Sequence, residues 1–424
     1  MKNSKLMSWV RLFTLMFSSV IFSLPYIMWT FYVPLQTALN LTDDYAKFGL
    51  IMTVFGLTAI PLYLIGGFIT DRFNPKTLIA VGLAGTAVCG FVYATIPSFN
   101  VVLLLQVLMC FFSIGLYWPS LIKMTRIISN DFGQGLGFGA LEGGRKLSYF
   151  VMNAMFIAAF TQYGEGVTGL QAALVVIAAQ CLVMSILVLL VFKGVNYNES
   201  CSESGEKVDF SKVIPLLKKP VIWMISLIIL SVYVSSTVQG FVTAYLVNVF
   251  GMGEAASAWF FTFTQFAAPL VVVLGGWLTD KAGVAKGLLV AQLLLLLTIG
   301  GLLVAPVGPT YLVIAMGTLL IFLVALYVVR GIYWTLLKFT GIPVVVSGTA
   351  IGVISMIAYL PDAFMYNFAG SLIDANPGAV GYHNLFLIQL TVGAVGVVLT
   401  LILTSYMKKH KPSELYANIC KVEE

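Results

Sequence analysis

The sequence predicts an all-α membrane protein of twelve transmembrane helices, arranged as two pseudo-symmetric six-helix bundles. Three observations lead there. Hydrophobic residues fill 60% of the 424 positions and charged ones only 9%, against about a quarter charged in soluble domains. Apolar runs of about 20 residues, enough to cross a bilayer, recur along the chain. A short string closes one such run in each half, Gly66-Gly67-Phe68-Ile69-Thr70-Asp71-Arg72 and Gly275-Gly276-Trp277-Leu278-Thr279-Asp280-Lys281. Two small residues before an acid beside a base suit a tight turn at a membrane surface, and the recurrence marks two related halves.

The first six spans are expected at 9–39, 46–70, 76–96, 99–122, 134–162 and 168–193. The basic start, Met1 to Arg11, leads into a run that continues past Pro25 towards Leu39, so it reads as a retained first helix and not a cleaved signal. The last six spans are expected at 220–250, 255–279, 285–306, 309–336, 344–373 and 382–407. Residues 194–219 are polar and hold Glu199, Glu203, Glu206, Lys207 and Asp209, so they form a cytoplasmic linker with room for a short surface helix. The domain plan is therefore 1–193, the linker, and 220–424 with a short cytoplasmic tail.

Charge placement fixes the orientation. Arg72, Lys76, Lys123, Arg126, the linker lysines, Lys281, Lys286, Lys338, Lys408, Lys409 and Lys411 collect on one side, and only Lys47 lies on the other. By the positive-inside rule both termini are cytoplasmic. The net charge of +6 is thus spread over short loops rather than forming a nucleic-acid patch. The cysteines at 89, 110, 181, 201 and 420 show no CxxC spacing, and His383 and His410 are too sparse for a zinc site. No metal or cofactor is expected.

Twelve spans as six plus six, a charged middle loop and the repeated string together resemble the major facilitator superfamily. Gly67, Asp71, Arg72 and Lys76 fit its signature loop, and Gly276, Asp280, Lys281 and Lys286 fit more loosely. Phe31-Tyr32-Val33-Pro34-Leu35-Gln36, the stretch from Phe138 to Arg145, and Asn376-Pro377-Gly378 with Gly381-Tyr382 are similar to a bacterial inner-membrane subgroup typified by YihN and YqcE. The resemblance implies a secondary transporter in the inner membrane. Organophosphate antiporters of the superfamily place substrate-binding arginines at positions that hold Tyr26 and Ser235 here, which argues against phosphate-ester exchange. Drug-proton antiporters carry a proline-containing glycine string in the fifth span, and this span has Glu142, Gly144 and Arg145 without the proline.

Charges inside spans need partners, a watery cavity or a task, because each costs about 2.5–3.5 kcal/mol at the bilayer centre. At ~1.5 Å per residue from Gly133, Glu142 lies ~13 Å and Arg145 ~18 Å deep. Glu142 can pair with Arg145 or Lys146 along the helix but cannot neutralise both, leaving net positive charge unless Lys146 finds Asp362. Arg145 is expected either to hold a substrate anion or to form a structural ion pair; the position matching it lines the site in the organophosphate group. Arg330 either faces the cavity as a second anion contact or snorkels to the interface. Asp362, after Pro361 in the eleventh span, is placed to carry a proton or to pair Lys146.

The first span carries Tyr26, Trp29 and Tyr32 at helical spacing, a stripe that suits either a substrate ring or packing. Gln239 is a further candidate, with Tyr117, Trp118, Pro119 and Trp334 behind it. Asp71 and Asp280 are expected to latch the cytoplasmic side, with the neighbouring glycines allowing close helix approach. The run Gly133, Gly135, Gly137, Gly139, Gly143 and Gly144 mimics part of a nucleotide fingerprint but lacks the required strand. It reads as helix packing, and with no nucleotide-hydrolysing motif, transport must draw on a gradient. The reading is a monomeric carrier importing a small polar organic anion, a sugar acid or carboxylate, with protons. A carrier of neutral solutes such as nucleosides or amino acids is the alternative, and a transporter-like sensor a more remote one. No nucleophile-base pair suggests an enzyme.

Overall fold

A computed structural model describes residues 2–129, 134–193, 217–340 and 347–410. Among these the chain is helical, with no strand, and runs back and forth in twelve passes. We number them α1 to α12. The pass α1 comprises Lys2–Ser18, two 3-10 turns at Ser19–Phe22 and Ile27–Trp29, and Tyr32–Ala38. Next come α2 (Tyr45–Arg72) and α3 (Pro75–Tyr93). In α4, Phe99–Cys110, a π-helical stretch Phe111–Tyr117 and Trp118–Ser129 are continuous. The first half ends with α5 (Gln134–Gln162) and α6 (Gly166–Val191).

The second half opens with α7, made of Pro220–Val238, a 3-10 turn Gln239–Phe241 and Val242–Phe250. It is followed by α8 (Glu254–Ala282) and α9 (Val284–Val304). Then α10 has Leu312–Ile332 as its body, led by Pro309–Tyr311 and continued by Tyr333–Thr335 and Leu336–Phe339. Last are α11 (Ser347–Ala358, Leu360–Ala363, Met365–Ala375) and α12 (Ala379–Lys409).

Eight passes are, taken alone, long and apolar enough to cross a membrane. Their outer faces stay greasy: Leu297 is 72% exposed, Val313 80% and Val304 84%. In water such surface would drive association; against lipid it is at home. Two of the other passes, α1 and α11, differ from the unbroken spans expected from composition. Pro25 precedes the second 3-10 turn of α1, and Pro361 lies within that of α11, where a missing amide and a clashing ring interrupt the helical ladder. Neighbouring helices can satisfy the freed groups, so a bilayer tolerates these breaks.

Within the first half α3 packs along α6, and within the second α12 packs along both α7 and α9. The halves meet along two seams, α2 with α11 and α5 with α8. The α2–α11 seam is so close that a Cβ at Gly49, Gly56 or Gly370 would meet the backbone of Tyr366, Asp362 or Tyr45. Small residues let membrane helices approach this way. The π-helical stretch of α4 is wedged similarly, its Gly115 and Phe112 carbonyls against Gly66 and Gly82.

At the end of the molecule away from the termini, the halves are pinned. Asp374 of α11 accepts hydrogen bonds from the Tyr45 and Ala46 amides at 2.8 and 2.7 Å, while Asp44 accepts from the Lys47 amide at 2.8 Å. These are the first amides of α2, which have no partner within their own helix. A carboxylate there also meets the positive end of the helix dipole. Asn367 donates to the Ala46 carbonyl at 2.7 Å, and Asn248 of α7 donates to the Tyr45 hydroxyl at 2.8 Å.

Candidate functional site

The break in α11 places Asp362 at the seam, buried and backed onto α2 at Gly56. Its carboxylate accepts a hydrogen bond from the Tyr233 hydroxyl of α7 at 2.6 Å. The Arg330 guanidinium of α10 lies 5.8 Å over the Tyr233 ring and acts electrostatically on Asp362. Arg330 therefore points inward, over Tyr233, instead of snorkelling outward. Asp362 opens onto a narrow cleft shared with Gly56, Ala59, Tyr63, Ser355 and Tyr359, whose clear space of about 10 Å³ holds roughly one water. The expected Asp362–Lys146 pairing is not what this geometry presents, since the groups acting on Asp362 are Tyr233 and Arg330.

Lys146 crosses the other seam. Its ammonium donates to the Gln265 side-chain carbonyl of α8 at 3.3 Å and sits 5.2 Å over the Tyr327 ring of α10. The Tyr327 hydroxyl in turn accepts from the Gln265 and Gln239 amides at 2.6 and 3.0 Å. A polar chain thus runs from α5 through α8 and α10 to α7, ending at Gln239. Arg145, one residue before Lys146, turns into its own half: its guanidinium lies 4.8 Å over Trp118 and 5.7 Å over Phe22. Both rings hold the cation face-on, as aromatic faces do. Tyr117 bonds Ser18 of α1 at 2.8 Å, which fixes that aromatic wall.

The aromatic stripe of α1 divides. Tyr26 and Trp29 remain together, with ring centroids 4.7 Å apart. The Trp29 indole donates to the Tyr366 hydroxyl of α11 at 3.1 Å, and its carbonyl accepts from Thr243 of α7 at 3.3 Å. Tyr32 instead packs on Tyr45, Phe48 and Phe241. The shared face expected for Tyr32 and Trp29 assumed an unbroken helix, and the 3-10 turn Ile27–Trp29 rotates them apart. The glycine run of α5 is likewise mixed. A Cβ at Gly144 would strike Met16, whereas Gly143 faces open space.

Several expected participants lie outside what is described. The side chains of Glu142, Asp71 and Asp280 and the surroundings of Gly67 and Gly276, whose backbone is helical in α2 and α8, are among them, as are residues 194–216 of the linker. Arg72 and Lys281 are exposed at the ends of α2 and α8. Two residues before Arg72, the Thr70 carbonyl accepts from Lys123 of α4 at 2.9 Å. Sequence reasoning missed Tyr233, Gln265, Tyr327, Tyr366 and Asp374. Gln265 was detectable as an amide within an apolar span, but the tyrosines look like ordinary packing residues until their hydroxyls find partners.

A two-seamed bundle of twelve helices with a charged, hydrogen-bonded centre is the architecture of a membrane transporter. Residues 12–366 match the Major Facilitator Superfamily, and the chain belongs to that superfamily. It is 27% identical to the inner membrane protein YqcE of Escherichia coli K12 over 95% of this chain and 96% of that one. It is 23% identical to the inner membrane protein YihN of the same organism, over 94% and 95%. Among solved structures, the nucleoside transporter NupG has the same fold at a TM-score of 0.73 and 14% identity, covering 96% of this chain and 100% of that one. A bacterial homolog of the human lysosomal transporter Spinster, inward-facing and unoccupied, matches at a TM-score of 0.70 and 16% identity, over 94% and 98%.

Proposed function

We propose that this carrier takes a small organic anion, a sugar acid or carboxylate, across the bacterial inner membrane with protons, both termini lying in the cytoplasm. The observation that carries the reading is that Lys146, from the first half, lies 5.2 Å over the Tyr327 ring of α10, while Arg330, three residues on in the same helix, lies 5.8 Å over the Tyr233 ring. With Arg145 they make three cations inside the bundle, against Asp362 and Glu142. Even with both acids ionised the centre keeps positive charge, which a bilayer interior tolerates poorly and an anionic solute would balance. Asp362, between Tyr233 and the α2 backbone at the moving seam, is the proton carrier in this reading. Two halves rocking about such a midplane site is how repeat-built carriers work.

The amide and aromatic groups Gln239, Gln265, Trp29 and Tyr26 favour a second reading, a neutral solute with a ring and hydrogen-bonding edges. NupG, of similar fold, is a nucleoside transporter. Uptake into vesicles, competed with sugar acids, simple carboxylates and nucleosides, separates the two. Under the anion reading, Arg145→Ala and Arg330→Gln abolish uptake while expression is unchanged. Normal uptake by both variants, or competition by nucleosides alone, would sink it.

A further inference from the structure

The polar chain that ends at Gln239 leaves a particular kind of atom unused, and hydrogen-bond accounting identifies it. Lys146 has only donors to offer, so the Gln265 carbonyl must face it and the Gln265 amide must donate to Tyr327. Tyr327 has one proton. Thr264, the neighbour of Gln265 on α8, spends its own proton on the Phe261 carbonyl at 2.6 Å. Gln239 presents its amide to the same Tyr327 hydroxyl at 3.0 Å. Its carbonyl oxygen is left buried with no partner among the described residues, on a residue only 1% exposed.

One turn earlier Ser236, 2% exposed, is in the same condition. Elsewhere on α7 the hydroxyls of Ser226, Ser231 and Thr237 bond back to their own helix at 2.7–2.8 Å, and Ser236 does not. By helical spacing Ser236 falls between Tyr233, which holds Asp362, and Gly240, which touches Trp29 and Tyr366. Buried polar atoms are ordinarily satisfied. Of the three exceptions on α7, Ser235 included, Ser236 and Gln239 stand on the side of Tyr233 and Gly240 and are the informative pair.

Resting on the transport reading above, we infer that the Gln239 carbonyl and the Ser236 hydroxyl receive hydroxyl groups of the transported solute, making it polyhydroxylated rather than a plain carboxylate. A carboxylate or an alkyl chain offers nothing to an amide carbonyl, whereas a sugar hydroxyl donates to it. A site built to bond a hydroxyl discriminates strongly against the analogue lacking it.

The test uses the purified full chain in detergent with three probes: D-gluconate, hexanoate of the same carbon count, and uridine. Calorimetry is expected to show gluconate binding at least about tenfold tighter than hexanoate, the worth of two neutral hydrogen bonds. Ser236→Ala and Gln239→Met should each cut that preference several-fold. Ser236→Ala should leave the melting temperature of the unliganded protein unchanged, since it removes a group with no partner to lose. Equal binding of gluconate and hexanoate overturns the inference, as does an undiminished preference in both variants or binding of none of the probes. Uridine binding without either acid, weakened by the same two substitutions, would support hydroxyl recognition while removing the anion reading.

Discussion

Under the proposed reading, Asp362 is the side chain that joins proton binding to the motion of the halves. Its carboxylate is held by Tyr233 at 2.6 Å, and its backbone abuts Gly56 of the opposite half, so proton loss or gain is felt where the halves touch. Asp362→Asn keeps the shape and removes the titration. In vesicles it should lose accumulation driven by a pH gradient while retaining exchange of labelled for unlabelled solute; intact gradient-driven uptake would exclude Asp362 as the coupling group. Tyr233→Phe strips the hydroxyl from a buried acceptor, a change worth about 1–3 kcal/mol. A drop in thermal stability that disappears in the Asp362→Ala background, which has no acceptor for the hydroxyl, measured as a double-mutant cycle, is the expected result.

At the scale of elements, the α2–α11 contact is the feature most exposed to substitution. Glycines 49, 56 and 370 allow backbone to meet backbone, and Asp374 supplies two acceptors to the free amides of α2. Asp374→Asn keeps one acceptor, turns a donor NH2 against the second amide and loses the charge facing the helix dipole, at a cost of about 1 kcal/mol or more. Gly370→Leu intrudes on the Tyr45 backbone and should oppose closure more strongly, by roughly 1–3 kcal/mol as overpacking does. Spin labels at Thr42 and Pro377, in a cysteine-free background, should report longer distances in both variants and the larger shift for Gly370→Leu. Unchanged distance distributions would show that this contact does not set the closed state.

For the whole molecule, the fold puts Lys2 and Lys409 on one side and the pinned end on the other, and the proposed orientation, from the basic loops, has the first side in the cytoplasm. A fluorescent protein fused after Lys409 should glow and alkaline phosphatase fused there should be inactive; the reverse pattern would invert the assignment. With that orientation, the pinned end faces outward and the described state is closed to the outside. Any inward-directed import cycle must then break the Asp374 and Asn248 contacts once per turnover. The same contacts link α2 to α7 and α11, so opening is a movement of halves and not of one loop.

Span positions were legible to within a few residues. The run expected at 46–70 is Tyr45–Arg72, and that expected at 76–96 is Pro75–Tyr93, started by Asn74 accepting from the Lys76 amide. Transfer into a bilayer is governed residue by residue along the chain, so composition and the positive-inside rule suffice for it. Intramembrane charges were equally legible, because their cost makes Arg145, Lys146, Arg330 and Asp362 conspicuous. Their partners were not. Tyr233 meets Asp362 across 129 positions and Trp29 meets Tyr366 across 337, and no local periodicity encodes such pairings. The breaks at Pro25 and Pro361 then rotate side chains away from where an ideal helix would aim them. The sequence by itself determined that this is a twelve-span carrier with charge at its centre. Only the tertiary structure decided which groups that charge touches, because partner choice depends on interhelical packing, which is a property of the assembled bundle.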